Sequence, residues 1–257
     1  MKKPLIIIAG PCVVESRNML FETAEVLTSI FQDKNVDFFF KASYKKANRT
    51  SHNSFTGIGD EKALRYLNEV GSKFNVKTLT DVHNEDEVKL ASAYVDVLQI
   101  PAFLCRQTAL IQTAARSGKI VNIKKGQFVG VGTMIKAAEK AWIAGAKKIW
   151  ITERGSFFGY HDLVVDFRSI VSMQKEGFIT VYDATHSVQQ PSIGEQSGGK
   201  PEFIFPLAKA AIAAGVNGVF FETHPNPDKA LSDAASQLPL SVARDFVNTI
   251  TDLYEKL

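Results

Sequence analysis

The chain has 257 residues, of which 45% are hydrophobic and 22% charged, the composition of an ordinary globular protein with enough apolar material for a sizeable core. Its 30 lysines and arginines against 27 aspartates and glutamates leave a formal net charge of +3, too small to indicate nucleic acid or an anionic membrane as a partner. Two cysteines exclude a disulfide framework, and the apolar run between Lys3 and Gly10 is too short for a signal peptide or a membrane span, so we expect a cytoplasmic protein.

Short runs of β-branched and aromatic residues alternate with segments of helical spacing along the chain. The strand runs lack a clean polar–apolar alternation, which is typical of strands covered on both faces. In chain order the pattern predicts strand 5–9, helix 19–31, strand 38–41, helix 61–74, strands 76–80 and 95–100, helix 108–117, strand 120–123, helix 134–144, strand 148–152, helix 163–174, strand 178–182, helix 203–214 and strand 218–222.

These elements predict an α/β protein built as a (β/α)8 TIM barrel. Gly118, Gly145, Gly177 and Gly215 each stand between a helical segment and the next strand, as helix-terminating glycines do. About eight strand–helix units in roughly 250 residues is the arithmetic of this fold. A doubly wound open sheet is the competitor, but the early glycine-rich phosphate turn typical of that fold is missing. Since no linker composition divides the chain, residues 1–257 are expected to form one domain.

Polar and ionisable residues follow nearly every predicted strand. In a parallel barrel, reactive groups gather where strands end and the following loops begin, because the carboxyl ends of all strands lie at one face. The residues at these ends are Cys12, Lys41, Asp81 with His83, Gln99, Lys124 with Lys125, Glu153 with Arg154, Asp183 with His186, and Glu222 with His224. The sequence therefore predicts an active site at this face.

The basic residues of this face form a set that stands out in a nearly neutral chain. They are Lys41, Lys45, Lys46 and Arg49 from one loop, Lys124 and Lys125 from a second, and Arg154 from a third. A solvated cationic rim is the plain alternative. Converging lysines and arginines suit phosphates and carboxylates, so we favour one or two substrates with more than one anionic group.

A mixed metal site is a second candidate. Cys12 follows the first strand, His186 the seventh and Glu222 ends the eighth, and these strands are neighbours in a closed barrel; Asp233 lies in the loop that follows. A thiolate, an imidazole and two carboxylates suit a borderline divalent ion such as Zn²⁺, Fe²⁺ or Mn²⁺. No short ligand motif is present, so spacing alone leaves an inert thiol and a surface carboxylate as the alternative. Cys105 is expected to be a packed thiol.

Nine motifs in order along the chain resemble those of the 3-deoxy-D-manno-octulosonate 8-phosphate synthases. They are "AGPCVVES", "FKASYKKANRTS", "QIPAFLCRQT", "VNIKKGQF", "TERGSFFGY", "VDFRSI", "YDATHSVQQP", "EFIFPLAKAA" and "FFETHPNPDKALSDAASQLPL". The resemblance implies a TIM barrel, usually in a homotetramer, that condenses phosphoenolpyruvate with D-arabinose 5-phosphate for lipopolysaccharide inner-core synthesis. Family members divide into a metal-independent group, with Asn after the first strand, and a metal-dependent group, with Cys there.

The resemblance also implies roles for individual residues. It places phosphoenolpyruvate at Lys41, Ser43, Lys46, Gln99, Lys124 and Arg154, arabinose 5-phosphate at Asn48, Arg49, Thr50, Ser51 and, from a neighbouring subunit, Arg106, and one divalent metal ion at Cys12, His186, Glu222 and Asp233. Lys46, Asp81, Lys124 and His186 are the candidate catalytic residues, and residues 187–200 have the composition of a substrate lid. The chain reads KANRTS where the family commonly reads KANRSS, and Thr50 keeps the hydroxyl.

Two other functions stay open on the sequence. A related synthase that joins phosphoenolpyruvate to erythrose 4-phosphate usually reads KPRTS at this loop, so Asn48 is the discriminating residue. A non-catalytic barrel that senses anionic sugars is the second, and the complete cationic and metal-ligand sets argue against it. Phosphate release on mixing both substrates distinguishes all three.

Overall fold

A computed structural model describes residues 2–48, 54–158, 162–190 and 198–257. In these ranges, eight parallel strands pair in chain order, and the last pairs back with the first through Ile6 and Gly218. The strands are β1 (Leu5–Gly10), β2 (Val36–Lys41), β3 (Lys77–Asp81), β4 (Val97–Ile100), β5 (Ile120–Lys124), β6 (Ile149–Glu153), β7 (Ile179–Asp183) and β8 (Gly218–His224). The predicted (β/α)8 barrel is confirmed.

Helices surround the barrel. They are α1 (Arg17–Phe31), α2 (Asp60–Phe74), α3 (Glu85–Ala91), α4 (Thr108–Arg116), α5 (Val131–Ile143), α6 (Arg168–Lys175), α7 (Ile204–Ala213) and α8 (Ala243–Lys256). The sequence patterns did not single out α3 or α8. None of the helices in the described ranges combines the length and the apolar character needed to cross a bilayer.

The predicted helix over 163–174 is wrong at its start. Leu163–Val164 is instead a short strand that pairs with Ser156–Phe157. The helix begins at Arg168, whose backbone N–H donates to Asp166 Oδ1 at 3.0 Å. This side-chain acceptor satisfies a free N–H at the helix start and so sets the boundary. Two further short pairings are Gln189–Gln190 with Gly198–Gly199, and Leu238–Pro239 beside β8.

Most residues of the barrel strands are buried whichever face they are on, which explains the missing alternation in the sequence. In β1, Leu5, Ile7 and Ala9 pack toward the helices in one large core cluster. Ile6 and Ile8 point the other way, into a smaller cluster inside the barrel. The members of that interior cluster are Ile6, Ile8, Phe39, Leu79, Val97, Trp150, Val181 and Phe220. An apolar layer therefore fills the barrel below its carboxyl-terminal face.

Gly10 ends β1 at a point of close backbone contact. A Cβ at this position would lie 2.0 Å from the Lys41 carbonyl oxygen, and its φ is +155°. Only glycine allows the two strands to approach so closely here. The chain then turns through Pro11, and Cys12 lies just beyond the end of the strand, where it is 1% exposed.

Candidate active site

The interior face of the barrel changes from apolar to polar at its carboxyl-terminal end. Strand side chains alternate between faces, so the residue two positions after each interior apolar residue points inward as well. In β2 this is Lys41 after Phe39, in β7 Asp183 after Val181, and in β8 Glu222 after Phe220. The same step leads to Asp81, Gln99 and Thr152, and all of these side chains are buried. The polar layer is thus built by the strands themselves.

Lys124 is the cation at the centre of this layer. Its Nζ lies 2.7 Å from Asp183 Oδ2, 3.3 Å from His186 Nδ1 and 3.8 Å from the ring centroid of Phe220. Burial lowers the pKa of Lys124 below its usual value, and the charges of Asp183 and Asp81 oppose that fall. A buried ammonium with a lowered pKa suits both anion binding and proton transfer.

Asp183 is a site residue that the sequence analysis did not assign. Burial alone would raise the pKa of this carboxyl, but His186 and Lys124 outweigh burial and hold the pKa far below its usual range. Its Oδ1 accepts the backbone N–H groups of Thr185 at 3.1 Å and His186 at 2.8 Å. The signal was present, because Asp183 ends a strand three residues before His186. Asp183 therefore fixes Lys124 and the His186 ring together.

Arg154 and Lys46 bring two more cations to the layer. Arg154 Nη2 donates to the His186 carbonyl at 3.1 Å and to Gln189 Oε1 at 3.0 Å, and its Nε has no hydrogen-bond partner among the described residues. Lys46 Nζ lies 4.0 Å from Asp233 Oδ2. Burial lowers the pKa of Lys46, but the combined charges of Cys12, Glu222 and Asp233 raise it overall. A buried guanidinium with an unused donor suits a bound anion.

A chain of hydrogen bonds runs from strand to strand along the inner face of the barrel, from β6 to the loop after β2. Thr152 Oγ1 donates to Asn122 Oδ1 (2.7 Å), Asn122 Nδ2 to Gln99 Oε1 (2.8 Å) and Gln99 Nε2 to Asp81 Oδ1 (2.7 Å). The hydroxyl of Ser43 donates to the other oxygen of Asp81 at 2.5 Å. Burial would raise the pKa of Asp81, but Lys41, Lys46 and Lys124 hold it well below its usual range. Asp81 is therefore an ionised acceptor.

The candidate metal ligands meet where β1, β7 and β8 adjoin. One ligand atom each from Cys12, Glu222 and Asp233 lie within 4.8 Å of one another. Cys12 Sγ is 2.9 Å from Asp233 Oδ2 and 3.0 Å from Ser232 Oγ. Burial, together with the charges of Asp233 and Glu222, raises the pKa of the thiol well above its usual value. Without a cation the thiol thus holds its proton.

His186, the fourth predicted ligand, is not part of this group of three and lies beside Glu222. Its Nε2 is 3.8 Å from Glu222 Oε1, and its Nδ1 is 2.9 Å from Asp183 Oδ2. A carboxylate on one ring nitrogen orients the other toward a metal. Glu222 Oε2 is buried without a hydrogen-bond partner among the described residues. A thiol and two carboxylates lie close together beside an imidazole, and one Glu222 oxygen lacks a donor among the described residues, so the residues present fit a divalent cation.

Two predicted members of the cationic set do not face the site. Lys45 Nζ forms ion pairs with Glu87 at 2.7 Å and Asp60 at 3.1 Å. Lys125 Nζ donates to the Gly155 carbonyl at 2.9 Å. The prediction for these two lysines is wrong, because neighbouring residues of an extended segment point to opposite sides and Lys46 and Lys124 take the inward positions.

Only some of the predicted arabinose 5-phosphate residues lie within the described part of the chain. Arg49, Thr50 and Ser51 lie outside the described residues, as do positions 191–197 of the predicted lid. Asn48 and Arg106 are exposed. Arg106 lines a surface depression with Lys136 and Lys140 between α4 and α5. Cys105 is fully buried in the core, as predicted.

Known proteins match this chain over nearly its whole length. A sequence profile described as the DAHP synthetase I family matches residues 1–257. The chain is 51% identical over 240 residues to the 2-dehydro-3-deoxyphosphooctonate aldolase of Desulfatibacillum aliphaticivorans, covering 93% of this chain and 88% of that protein. It is 49% identical over 254 residues to the protein of that name from Methylobacillus flagellatus (98% and 91% covered) and 46% identical over 254 residues to that from Coxiella burnetii (98% and 91%).

Proposed function

This chain belongs to the DAHP synthetase I family and, within it, to the 2-dehydro-3-deoxyphosphooctonate aldolases, and we propose that it condenses phosphoenolpyruvate with D-arabinose 5-phosphate. Water is the third reactant, and the products are 3-deoxy-D-manno-octulosonate 8-phosphate and phosphate. The observation that carries the proposal is the identity of 51% over 93% of the chain with an enzyme of that name. The resemblance found in the sequence motifs is thereby confirmed.

The reaction joins C3 of phosphoenolpyruvate to the aldehyde carbon of the sugar, while water adds to C2 and the phosphate leaves. Phosphoenolpyruvate carries a phosphate and a carboxylate, and the polar layer offers it buried cations. We assign its binding to Lys41, Ser43, Lys46, Gln99, Lys124 and Arg154. Holding both anionic groups on a rigid wall fixes the enol carbon near the aldehyde.

Within that assignment, Ser43 and Gln99 contribute through Asp81. Both donate to its carboxylate, which lies among Lys41, Lys46 and Lys124. The ionised Asp81 therefore accepts hydrogen bonds but neither supplies nor readily takes up a proton at neutral pH. Lys124, whose pKa burial lowers, is the stronger candidate for proton transfer to and from the reacting oxygens.

The proposal includes one divalent metal ion held by Cys12, His186, Glu222 and Asp233. Zn²⁺, Fe²⁺ and Mn²⁺ all suit this ligand set. Such an ion, when bound, supplies Lewis acidity toward an aldehyde or water oxygen. His186 then uses Nε2 as a ligand while Asp183 accepts from Nδ1, so His186 orients the site and the free proton carrier is Lys124.

The sugar phosphate is assigned to Asn48, Arg49, Thr50 and Ser51, with Arg106 from a neighbouring subunit of a homotetramer. An exposed Arg106 and the exposed aromatic rings of Phe103 (40%), Phe128 (62%) and Phe158 (64%) support an association surface near the loops after β4, β5 and β6. Sedimentation or light scattering measures the oligomer. The product suits lipopolysaccharide inner-core synthesis, and phosphorylated substrates suit a cytoplasmic enzyme.

The direct test mixes purified protein, metal and both substrates, and follows inorganic phosphate together with the product mass. We expect phosphate release with arabinose 5-phosphate and product at the mass of the eight-carbon adduct. Erythrose 4-phosphate in place of the pentose distinguishes the related synthase. Binding of sugar phosphates without phosphate release would support a sensor and contradict the proposed reaction.

A further inference from the structure

We propose that Lys125 is a positioning residue that directs the Arg154 side chain into the phosphoenolpyruvate site by fixing the backbone before and after Arg154. The proposal rests on the proposed function, in which Arg154 binds phosphoenolpyruvate. Lys125 itself lies outside the polar layer, so its part in the reaction is played through Arg154 and not through contact with substrate.

Strand alternation puts Lys124 and Lys125 on opposite sides of the barrel wall. In β5, Val121 and Ile123 pack toward the helices, whereas Asn122 belongs to the interior chain of hydrogen bonds. Lys124 continues the interior series and Lys125 the outer one. In β6, Ile149 and Ile151 pack outward, so Glu153 follows them, and Arg154 follows Thr152 inward. Lys125 and Glu153 therefore meet behind the wall that presents Lys124 and Arg154.

The Lys125 ammonium contacts the chain immediately before and after Arg154. Its Nζ donates to the Gly155 carbonyl at 2.9 Å and to Ser156 Oγ at 3.0 Å, and it lies 3.4 Å from Glu153 Oε1. Its backbone N–H donates to the Thr152 carbonyl at 2.8 Å. The residue is 2% exposed. Every one of these contacts is within two residues of Arg154, so Lys125 holds the chain on both sides of it through its ammonium and its backbone N–H.

The turn also needs a special backbone. Glu153 Oε1 accepts the Gly155 N–H at 2.7 Å, which closes a small ring around Arg154. Gly155 has a φ of +87°, and a Cβ there would lie 3.2 Å from the Cβ of Leu163. Glycine is the residue that adopts this φ without strain. The chain therefore turns sharply just after Arg154, and the Lys125 ammonium donates hydrogen bonds to the residues of this turn.

A buried ion pair at this place is not explained by stability alone. Replacing such a pair by apolar groups of similar volume is often neutral or stabilising, because both charges lose their hydration. The inner end of Arg154 is held by two hydrogen bonds from Nη2, and its buried Nε has no partner in the described part of the chain. The orientation of the Arg154 side chain therefore depends on the backbone at 153–155. A shift of about 1 Å at a reacting group can cost on the order of a hundredfold in rate.

The test is Lys125→Met, which keeps the aliphatic stem and removes the ammonium, in the full-length metal-loaded protein. We expect the KM and the calorimetric Kd for phosphoenolpyruvate to rise about 10- to 100-fold, with the KM for arabinose 5-phosphate and the metal content unchanged. Lys125→Arg, which keeps a charged donor, should restore much of the affinity. Glu153 loses its partner in Lys125→Met, so Lys125→Met/Glu153→Gln serves as a second variant if the single one folds poorly.

Two controls separate positioning from general damage. Gln174→Leu removes a hydrogen bond to the Gly215 carbonyl at the opposite end of the barrel and should lower the melting temperature without changing the phosphoenolpyruvate constants. In an Arg154→Met background, Lys125→Met should produce no further loss of phosphoenolpyruvate affinity, because the residue acts through Arg154.

Equal losses for both substrates, or full additivity of Lys125→Met with Arg154→Met, would overturn the proposal. A wild-type protein that fails to turn over the two substrates would instead overturn the proposed function. The calorimetric Kd for phosphoenolpyruvate then still decides whether Lys125 positions Arg154, so the two failures are distinguishable.

Discussion

Two buried glutamates, Glu87 and Glu222, each form an ion pair with a lysine at or just after the end of β2. Lys45 Nζ is 2.7 Å from Glu87 Oε1, and Lys41 Nζ is 2.5 Å from Glu222 Oε1. The lysines are four positions apart, and the glutamates are similarly inaccessible, at 7% and 0% exposure. The two regions differ in what the remaining carboxylate oxygen does.

Glu87 is saturated with donors. Besides Lys45, its Oε1 accepts Asn84 Nδ2 at 3.1 Å, and its Oε2 lies 2.9 Å from the backbone N and 2.7 Å from Nδ1 of His83. These contacts tie the loop after β2 to the loop after β3 and the start of α3. A satisfied buried network rigidifies the fold.

The carboxylate of Glu222, by contrast, has a donor on only one of its two oxygens within the described residues. Its Oε2 finds no donor among the described residues, and its other neighbours, Cys12 and Asp233, are themselves ligand groups of the same electrostatic sign when ionised. An unpaired buried acceptor costs about 1–3 kcal/mol. The same lysine–glutamate pair is structural at Glu87, where every carboxylate oxygen has a donor, whereas at Glu222 it leaves one oxygen open to the proposed cation.

The first prediction expects the greatest loss of activity when Lys124, the cation beside Asp183 and His186, is removed. Lys124→Met should lower kcat on the order of 10³-fold, because a fixed charge aimed at a developing anion is lost from a buried site. Asp183 keeps its hydrogen bonds from the backbone of Thr185 and His186, so the protein should still fold, with a melting temperature lowered by the loss of the Asp183 counter-charge. Phosphate release beside a thermal melt measures both quantities.

Lys89→Met is the matched control, since Lys89 is an exposed lysine on α3 paired with Asp86. It should leave kcat within about twofold, as surface ion pairs contribute little. If Lys124→Met instead lowers the melting temperature strongly while activity per folded molecule persists, Lys124 is a structural residue like Lys45.

The second prediction concerns the thiol. Cys12→Ala should weaken metal affinity at least about 100-fold, because even second-sphere partners are worth 10–100-fold. A chelator should remove wild-type activity, and added divalent metal should restore it. Cys12→Asn should keep some activity in chelator and Cys12→Ala much less, since an amide can hold water or the aldehyde by hydrogen bonds. Wild-type protein that is metal-free and fully active in excess chelator would exclude the metal role of Cys12.

The third prediction is the pH dependence of metal binding. Burial, Asp233 and Glu222 raise the pKa of Cys12, so the thiol is protonated in the metal-free protein at neutral pH. Binding must displace that proton, and affinity should fall about tenfold for each pH unit of acidification from this group alone. Competition with a chromophoric chelator between pH 6 and 8 measures the slope. In Cys12→Ala the slope should be smaller by about one proton, and an unchanged slope would contradict thiolate ligation.

The barrel and most of the polar layer could be predicted from the sequence, because apolar runs of strand length and glycine stops are local signals. The side on which a strand-end residue points could not be predicted as easily. Lys124 and Lys125 were assigned together, although neighbouring residues of a strand face opposite ways. Asn84 caps the start of α3 by accepting the N–H of Glu87 on its side chain, which is also a local signal. A helix of two turns, however, leaves too short an apolar pattern to be recognised in the sequence.

The hydrogen-bond chain through Asn122 was not predicted, and Asp183 was placed at the predicted face without a role, for a different reason. Their roles come from contacts between strands that are distant in sequence, such as the 2.8 Å bond from Asn122 to Gln99. Residue type does not distinguish such a group from an ordinary buried amide. The pairing of Lys45 with Glu87 and not with substrate is likewise visible only once α3 is packed against the loop after β2.

The last prediction concerns stability and tests Glu87, whose carboxylate oxygens all have donors. Burial would raise the pKa of Glu87, but the hydrogen bonds from His83 and Lys45 lower it from an ordinary 4.5 to about 2. A depressed carboxyl pKa stabilises the fold above the unfolded-state value, and this stabilisation is lost as the pH falls through the folded value. The shift corresponds to about 3 kcal/mol at neutral pH. Glu87→Gln should therefore lower the free energy of unfolding in urea by about 2–3 kcal/mol at pH 7, with wild-type metal content.

The pH profile distinguishes this cause from a simple loss of packing. The gap between wild type and Glu87→Gln should be constant above about pH 5.5, shrink below about pH 4.5 and be roughly halved near pH 3. Glu85→Gln makes the same change of charge at an exposed position two residues earlier in α3 and should cost less than about 0.5 kcal/mol throughout. A gap that stays constant down to pH 3, or metal lost along with stability, would mean that the closed cluster around Glu87 and the open site around Glu222 are not separate, and the contrast drawn between the two glutamates would fail.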